Sequence, residues 1–282
     1  MSVRITPLVQ GEYYHIYNRG NSKQTIFHDN ADMQRFQDLL FIANNPERSD
    51  LREFKRKKGI STAQLRKGKT FAKGNNKEDK EDAGMRRQDL RSSEGLASAT
   101  TTSITISAIT TSPTPSEFTR LVAIGSYCIM PNHFHILITP LVEGGVSKFM
   151  QKLSTAYPMY YNKKYTHTGG LFEGKFKAKH ASDDRYLKYL FAYINLNPVK
   201  LIDPTWKKYG LKDVKKTFAF LETYTYSSYL DLLHREGKTF ASDSRKRPEA
   251  DILSLDEFPE YFPTGAAFKK EILTWFSYRD DF

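Results

Sequence analysis

The chain has 282 residues, 39% hydrophobic and 27% charged, with a formal net charge of +11. That length allows one large domain or two small ones. The charge favours a polyanionic partner, nucleic acid first among them. A membrane surface is the rival, but no apolar run approaches the roughly 20 residues that a spanning helix needs. Cys128 is the only cysteine. An intrachain disulfide and a cysteine-rich zinc site are therefore excluded, and Cys128 reads as a core residue. The first residues, MSVRITPLVQGEYYHIYNRG, lack the apolar stretch of a secretory signal. Cytoplasmic residence is the simplest expectation.

In chain order, EYYHIYNRGN predicts a strand closed by the turn at Arg19-Gly20-Asn21. His15 in that aromatic strand reads as structural. DNADMQRFQDLLFIAN follows, with Asp29 or Asn30 as cap and Met33, Phe36, Leu39, Leu40 and Ala43 at helical spacing. Composition then shifts. Residues 46–116 are dense in charge, then rich in Ser and Thr, and too poor in large apolar side chains to offset the entropy of ordering. They are expected to form a largely flexible insertion with a short helix near Ala63–Gly68. Its basic clusters, Lys55 to Lys58 and Arg66 to Lys73, suit nucleic acid and a solvated linker equally.

Order returns at RLVAIGSYCIM, a strand, and at HFHILITP, a second strand across the turn Pro131-Asn132. A helix is expected from Val146 to about Tyr165. Its apolar face would be Phe149, Met150, Leu153, Ala156 and Tyr160, with a bend at Pro158. GGLFEGKFKAKH predicts a turn and a strand with Lys175, Lys177 and Lys179 on one side. The next helix starts at Ser182-Asp183-Asp184, carries RYLKYLFAYINLN, and ends by Asn197 because Pro198 follows. Strand, helix, two strands, helix, strand and helix imply an α+β fold, an antiparallel sheet with helices packed on one face. The domain reading is residues 1–45 with 117–204 as the ordered body, and 205–282 as a C-terminal extension packing on it. YTYSSYLDLLH predicts a turn and a short helix within that extension.

Two patterns carry chemistry. In IMPNHFHILITP, strand alternation points His133, His135 and Leu137 one way and Phe134, Ile136 and Ile138 the other. The two imidazoles then lie about 6.5–7 Å apart along one face, close enough to converge on one ion. A pair of hydrogen-bonded core histidines fits the same pattern. In the last helix, Tyr186, Tyr189, Tyr193 and Asn197 share one face. An amide oxygen is a competent ligand for a hard cation. His133, His135 and Asn197 would thus supply two nitrogens and one oxygen, with Tyr193 beside them as a nucleophile. A core tyrosine ladder ending in a helix-stop Asn is the plainer alternative.

IMPNHFHILI together with YLFAYINLNPVK resembles the single-tyrosine HUH transposases of insertion sequences, most closely their REP-associated tyrosine transposase branch. YYHIYNRGN, TGGLFEGKFKAK and YTYSSYLDLL add to the resemblance, which covers residues 12–45 and 117–232. It implies a ferredoxin-like HUH fold with a metal on His133 and His135, an amide ligand at Asn197, and Tyr193 as nucleophile. The implied activity is cleavage and rejoining of single-stranded DNA near hairpins through a 5′-phosphotyrosine. The metal would be Mg²⁺ or Mn²⁺, with Zn²⁺ also compatible with such ligands. Lys163, Lys164, Lys175, Lys177 and Lys179 are candidates for tracking the DNA backbone, and Phe172 for stacking a base. Two departures stand out: the length of the insertion, and Lys175 where the family often has Arg. The alternative is a non-catalytic hairpin-binding protein derived from a transposase. A hydrolase acting on a small molecule is a third reading. A monomer and a homodimer are both compatible with the sequence.

Overall fold

In the computed structural model, residues 7–46, 120–236, 239–240 and 247–277 are described. Almost all of the 46–116 insertion, including its expected short helix and basic clusters, lies outside them.

The first strand, β1 (Tyr14–Arg19), leads to helix α1 (Asn30–Ala43). Asp29 caps that helix by accepting from the Asp32 amide at 2.9 Å. Strands β2 (Val122–Met130) and β3 (His133–Pro140) form the expected hairpin across Pro131-Asn132. Helix α2 (Gly145–Tyr165), strand β4 (Lys177–His180) and helix α3 (Asp184–Leu196) complete the body. The strands are antiparallel in the order β2-β3-β1-β4. This β-α-β-β-α-β chain order and strand order make the ferredoxin-like α+β arrangement that the sequence implies.

The helices divide between the faces of the sheet. Phe134 packs on Phe36 of α1, and Phe36 packs on Tyr157 of α2, with ring centroids 4.9 and 5.1 Å apart. These two helices cover one face, as expected. Helix α3 lies on the opposite face, the one that carries His135. The expectation of helices on one face thus holds for α1 and α2 and not for the tyrosine helix. β2 is almost completely buried because it is covered on both sides. A bulge between Ile124 and Ser126 sets its facing residues. Gly125 sits at that irregularity with the Phe258 ring so close that a Cβ would meet it at 2.8 Å.

Two details differ from the periodicity. The buried face of α2 runs Val146, Phe149, Met150, Leu153, Tyr157 and Tyr161, so Ala156 and Tyr160 lie at its margin. Spacings of four past Leu153 hold the stripe against α1, and Tyr160 turns its hydroxyl to Asp32 instead. The α-helical part of α3 ends at Leu196, and the chain continues as a 3₁₀ turn, Asn197–Leu201. Pro198 is tolerated at the start of that turn because its missing N–H would lack a partner there anyway.

The 205–277 segment packs on this body. Helices α4 (Trp206–Tyr209), α5 (Val214–Thr223), α6 (Tyr229–Leu233) and α7 (Gly265–Ser277) follow in order. Residues 226–228 run along the free edge of β2: Ile129 donates to the Tyr226 carbonyl at 2.9 Å, and Ser228 donates to the Tyr127 carbonyl at 3.0 Å. An otherwise exposed strand edge is thereby satisfied.

A buried polar knot fixes α3 over the sheet. The Asn195 amide donates to Ser126 Oγ on β2 at 2.9 Å, and Ser228 Oγ donates to Asn195 Oδ1 at 2.9 Å. All three residues are fully buried. Asn195→Ala would remove two buried hydrogen bonds, each worth about 0.5–1.5 kcal/mol net, while Ser126 Oγ and Ser228 Oγ keep each other at 2.9 Å. Urea unfolding should show a loss of that size. A midpoint equal to that of the unaltered chain would remove the knot as the fixing contact.

Candidate active site

The β1–β3 pairing assembles the site. Tyr17 lies opposite His135, His15 opposite Leu137 and Arg19 opposite His133. Since successive side chains alternate, His15, Tyr17, Arg19, His133 and His135 share the α3 face. Lys177 and Lys179 of β4 pair with Tyr17 and His15 and join that face. The expected division of β3 holds: Phe134, Ile136 and Ile138 are buried on the other side.

Tyr193 of α3 caps the histidines. Its ring meets His135 and His15 edge-on, with centroids 5.7 Å apart in both cases. It continues the ladder Tyr186–Tyr189–Tyr193, with steps of 6.1 and 5.6 Å. Trp275 of α7 braces Tyr189 at 4.8 Å. Lys207 Nζ stands 4.1 Å from the centroid of the Tyr193 ring. Burial pushes the Tyr193 phenol above its ordinary pKa, and Tyr186 and Tyr17 push the same way. The resting side chain is therefore the neutral phenol at pH 7.

The imidazoles are neutral for the same reason. Burial, then the charges of Lys200, Arg19 and Lys207, lower His133 to about 4. Burial, then Lys179 and Lys207, lower His15 to about 4. His135 lies well below its ordinary value, through burial first and its neighbouring histidines next. A neutral imidazole is the form that ligates a metal. His133 Nδ1 is 2.6 Å from Asn132 Oδ1, while the Asn132 amide nitrogen donates to the Lys23 carbonyl at 3.1 Å. The amide is thus oriented, His133 Nδ1 is the donor, and its Nε2 keeps a lone pair. His135 Nδ1 is 2.8 Å from His15 Nε2.

Among the described residues, no group of three or more His, Cys, Asp or Glu side chains is placed to hold a metal ion. A cation here needs a ligand of another kind. Asn197 is fully buried at the end of α3; its Nδ2 donates to the Tyr193 carbonyl at 2.8 Å, and its Oδ1 has no hydrogen-bond partner. An orphaned amide oxygen beyond the tyrosine and two neutral imidazoles fit the donor chemistry of a hard or borderline divalent ion.

A cavity of about 290 Å³ opens beside the histidines, lined among others by Tyr17, Arg19, Lys23, His133, His135 and Lys177. Arg19 and Glu173 form a two-pronged ion pair at its rim. The basic candidates separate here. Lys177 lines the cavity, and Lys179 stands 4.4 Å over the Tyr186 ring. Lys163 and Lys175 are exposed. Lys164 is engaged within the chain, at 2.7 Å from Asp29 and 2.6 Å from the buried Asp32. Phe172 packs on Phe134 and Tyr157, away from the histidine face. Sequence reasoning missed Tyr17, Arg19, Lys200 and Lys207 and set His15 aside as structural. Period-two spacing from His15 marked the first two; nothing local marked the lysines, which arrive from the turn after α3 and from α4.

Residues 119–197 match the family model described as Transposase IS200 like. That segment is similar to the IS200-like transposases. It holds β2, β3, α2, β4 and α3, and so both histidines of the β3 pair, the tyrosine and Asn197. A solved structure of a REP-associated tyrosine transposase bound to a REP hairpin aligns over 81% of this chain and 82% of that chain, at 9% identity and a TM-score of 0.36. Among curated proteins none matches. No helix among the described residues is long and apolar enough to cross a membrane.

The three lowered histidines link stability to pH. The unfolded chain takes up protons near pH 6.5 and the folded chain only near 4 or below, so the unfolded state binds more protons in between. Stability is therefore fully present above about pH 7 and falls as pH drops from 6.5 towards 4. Urea midpoints across that range should decline. A flat profile down to pH 5 would contradict the buried neutral imidazoles.

Proposed function

We propose that this chain is a transposase that cleaves and rejoins single-stranded DNA beside a hairpin, with Tyr193 as the nucleophile. The observation that carries the reading is the edge-on seat of Tyr193 upon His135, on the sheet face shared with His133.

His133 and His135 would hold a divalent cation, Mg²⁺ or Mn²⁺, with Asn197 as an oxygen ligand. When bound, such an ion supplies positive charge at the phosphate and at the leaving oxygen. The chain supplies the rest. Tyr193 Oη attacks phosphorus, the new Oη–P bond forms, and the bond from phosphorus to the 3′-oxygen breaks. The phenolic proton is lost to solvent, and the departing 3′-oxygen takes one up. The products are a 5′-phosphotyrosine and a free 3′-hydroxyl. The ester conserves the linkage, so attack by a 3′-hydroxyl reverses the step without ATP.

The surroundings of Tyr193 favour an anionic substrate. Lys200, Arg19 and Lys207 are the charges that bear on His133, and all are cationic. A phosphodiester entering there meets the positive potential of Lys200 and Lys207, with the Arg19 charge shared with Glu173. The helix-borne phenol needs an unpaired strand, since a duplex would not splay its phosphate into a cleft of this size. His133, His135 and Tyr193 come together within one chain, which supports assembly of the site without a second copy.

The test is a 3′-labelled hairpin with a single-stranded flank, incubated with the full chain and Mn²⁺. A covalent protein–DNA adduct is expected, at the cost of a free 3′-hydroxyl fragment. Tyr193→Phe should abolish the adduct while hairpin affinity stays within about twofold. Binding without any adduct in the unaltered chain would favour a non-catalytic hairpin-binding protein. An adduct that survives Tyr193→Phe would assign the nucleophile elsewhere.

A further inference from the structure

We propose that His15 is a positioning residue for the metal site: its Nε2 accepts a hydrogen bond from His135 Nδ1–H and so presents the lone pair of His135 Nε2 to the cation. The proposal rests on the metal reading above.

The geometry is specific. His15 and His135 sit on neighbouring strands, diagonal across the β1–β3 register, with ring centroids 4.9 Å apart and nearly parallel planes. Their facing nitrogens are 2.8 Å apart, a full hydrogen bond. Both side chains are buried. Two neutral imidazoles sharing one bond must divide the roles, one nitrogen donating and the other accepting. If His15 donated, His135 would carry its proton on Nε2 and could not ligate. If His135 donates, its Nε2 holds a lone pair, as His133 Nε2 does through the bond from His133 Nδ1 to Asn132. The two strand histidines would then share one tautomer, each set by a partner behind it. Such partners are general at metal sites: they fix the tautomer and ring orientation, and their loss weakens metal binding by about 10- to 100-fold.

Tyr193 strengthens the assignment. Its ring rests on both imidazoles at 5.7 Å, so His15 is held from above while the sheet holds it from below. The pair is locked before any ion arrives, and this limits the reorientation that binding would otherwise require.

The experiment measures Mn²⁺ affinity of the full chain by electron paramagnetic resonance at pH 7.5, without DNA. His15→Phe keeps an aromatic ring but removes the acceptor, and should weaken Mn²⁺ by about 10- to 100-fold. His15→Gln restores an acceptor oxygen and should recover most of that loss. H15F within twofold of the unaltered chain, or H15Q as weak as H15F, overturns the proposal. If the unaltered chain takes up no Mn²⁺, the metal reading itself fails and this proposal goes with it. Should H15F not fold, imidazole ¹⁵N–¹H correlation of the unaltered chain decides: His135 is expected to be protonated at Nδ1, and an Nε2–H signal overturns the assignment.

Discussion

The alternation of β3 is the constraint on which the rest depends. Phe134, Ile136 and Ile138 are driven into the layer beneath α1 and α2, and each is worth about 1.5–3 kcal/mol on burial. A one-residue slip would turn all three onto the α3 face and carry His133 and His135 into that apolar layer. The histidines are thus placed by the hydrophobic demand of their neighbours and need no separate force to orient them. β1 obeys the same rule one strand away: with Tyr14 and Ile16 buried on the apolar side, His15, Tyr17 and Arg19 must face the site.

A second constraint comes from α3. Its tyrosines are useful only if the helix keeps one height and one rotation over the sheet. Apolar packing permits sliding, whereas hydrogen bonds in a low-dielectric interior do not. The Ser126–Asn195–Ser228 knot supplies that fixation, two residues from Tyr193 along the helix. The 205–277 segment therefore contributes to the site at a distance: Ser228 closes the knot, Trp275 braces Tyr189, and Lys207 lies over Tyr193.

Much of this was legible in the sequence, for physical reasons. His-Phe-His reads as a strand with opposed faces because the period of two is strict. The tyrosine ladder reads as one helical face because the spacing of three and four is. Asp29 and Asp183 cap their helices where their short acceptors predict. The remainder depends on long-range placement that no local pattern encodes. The position of α3 on the second face follows from how the chain leaves β4. The His15–His135 bond joins residues 120 apart in the chain. Lys164 reads as a surface cation until the fold brings the buried Asp32 beneath it. Phe172 reads as an exposed aromatic until the bridge of its backbone to Gly20 turns it onto Phe134. Family likeness over 119–197 covers the strand histidines and the tyrosine but stops short of Lys200 and Lys207 and starts after His15.

Tyr193 Oη is one phenolic oxygen among three on the same helix, beside those of Tyr186 and Tyr189. Tyr189 and Tyr193 lie on a single tryptic peptide, residues 189–200, so peptide mass alone would not tell them apart. Fragmentation of that peptide after nuclease trimming of a trapped protein–DNA complex would. Nucleophilic attack by Tyr193 places the residual nucleotide phosphate there and leaves Tyr189 unmodified. A phosphate on Tyr189, or on any peptide other than this one, would contradict it.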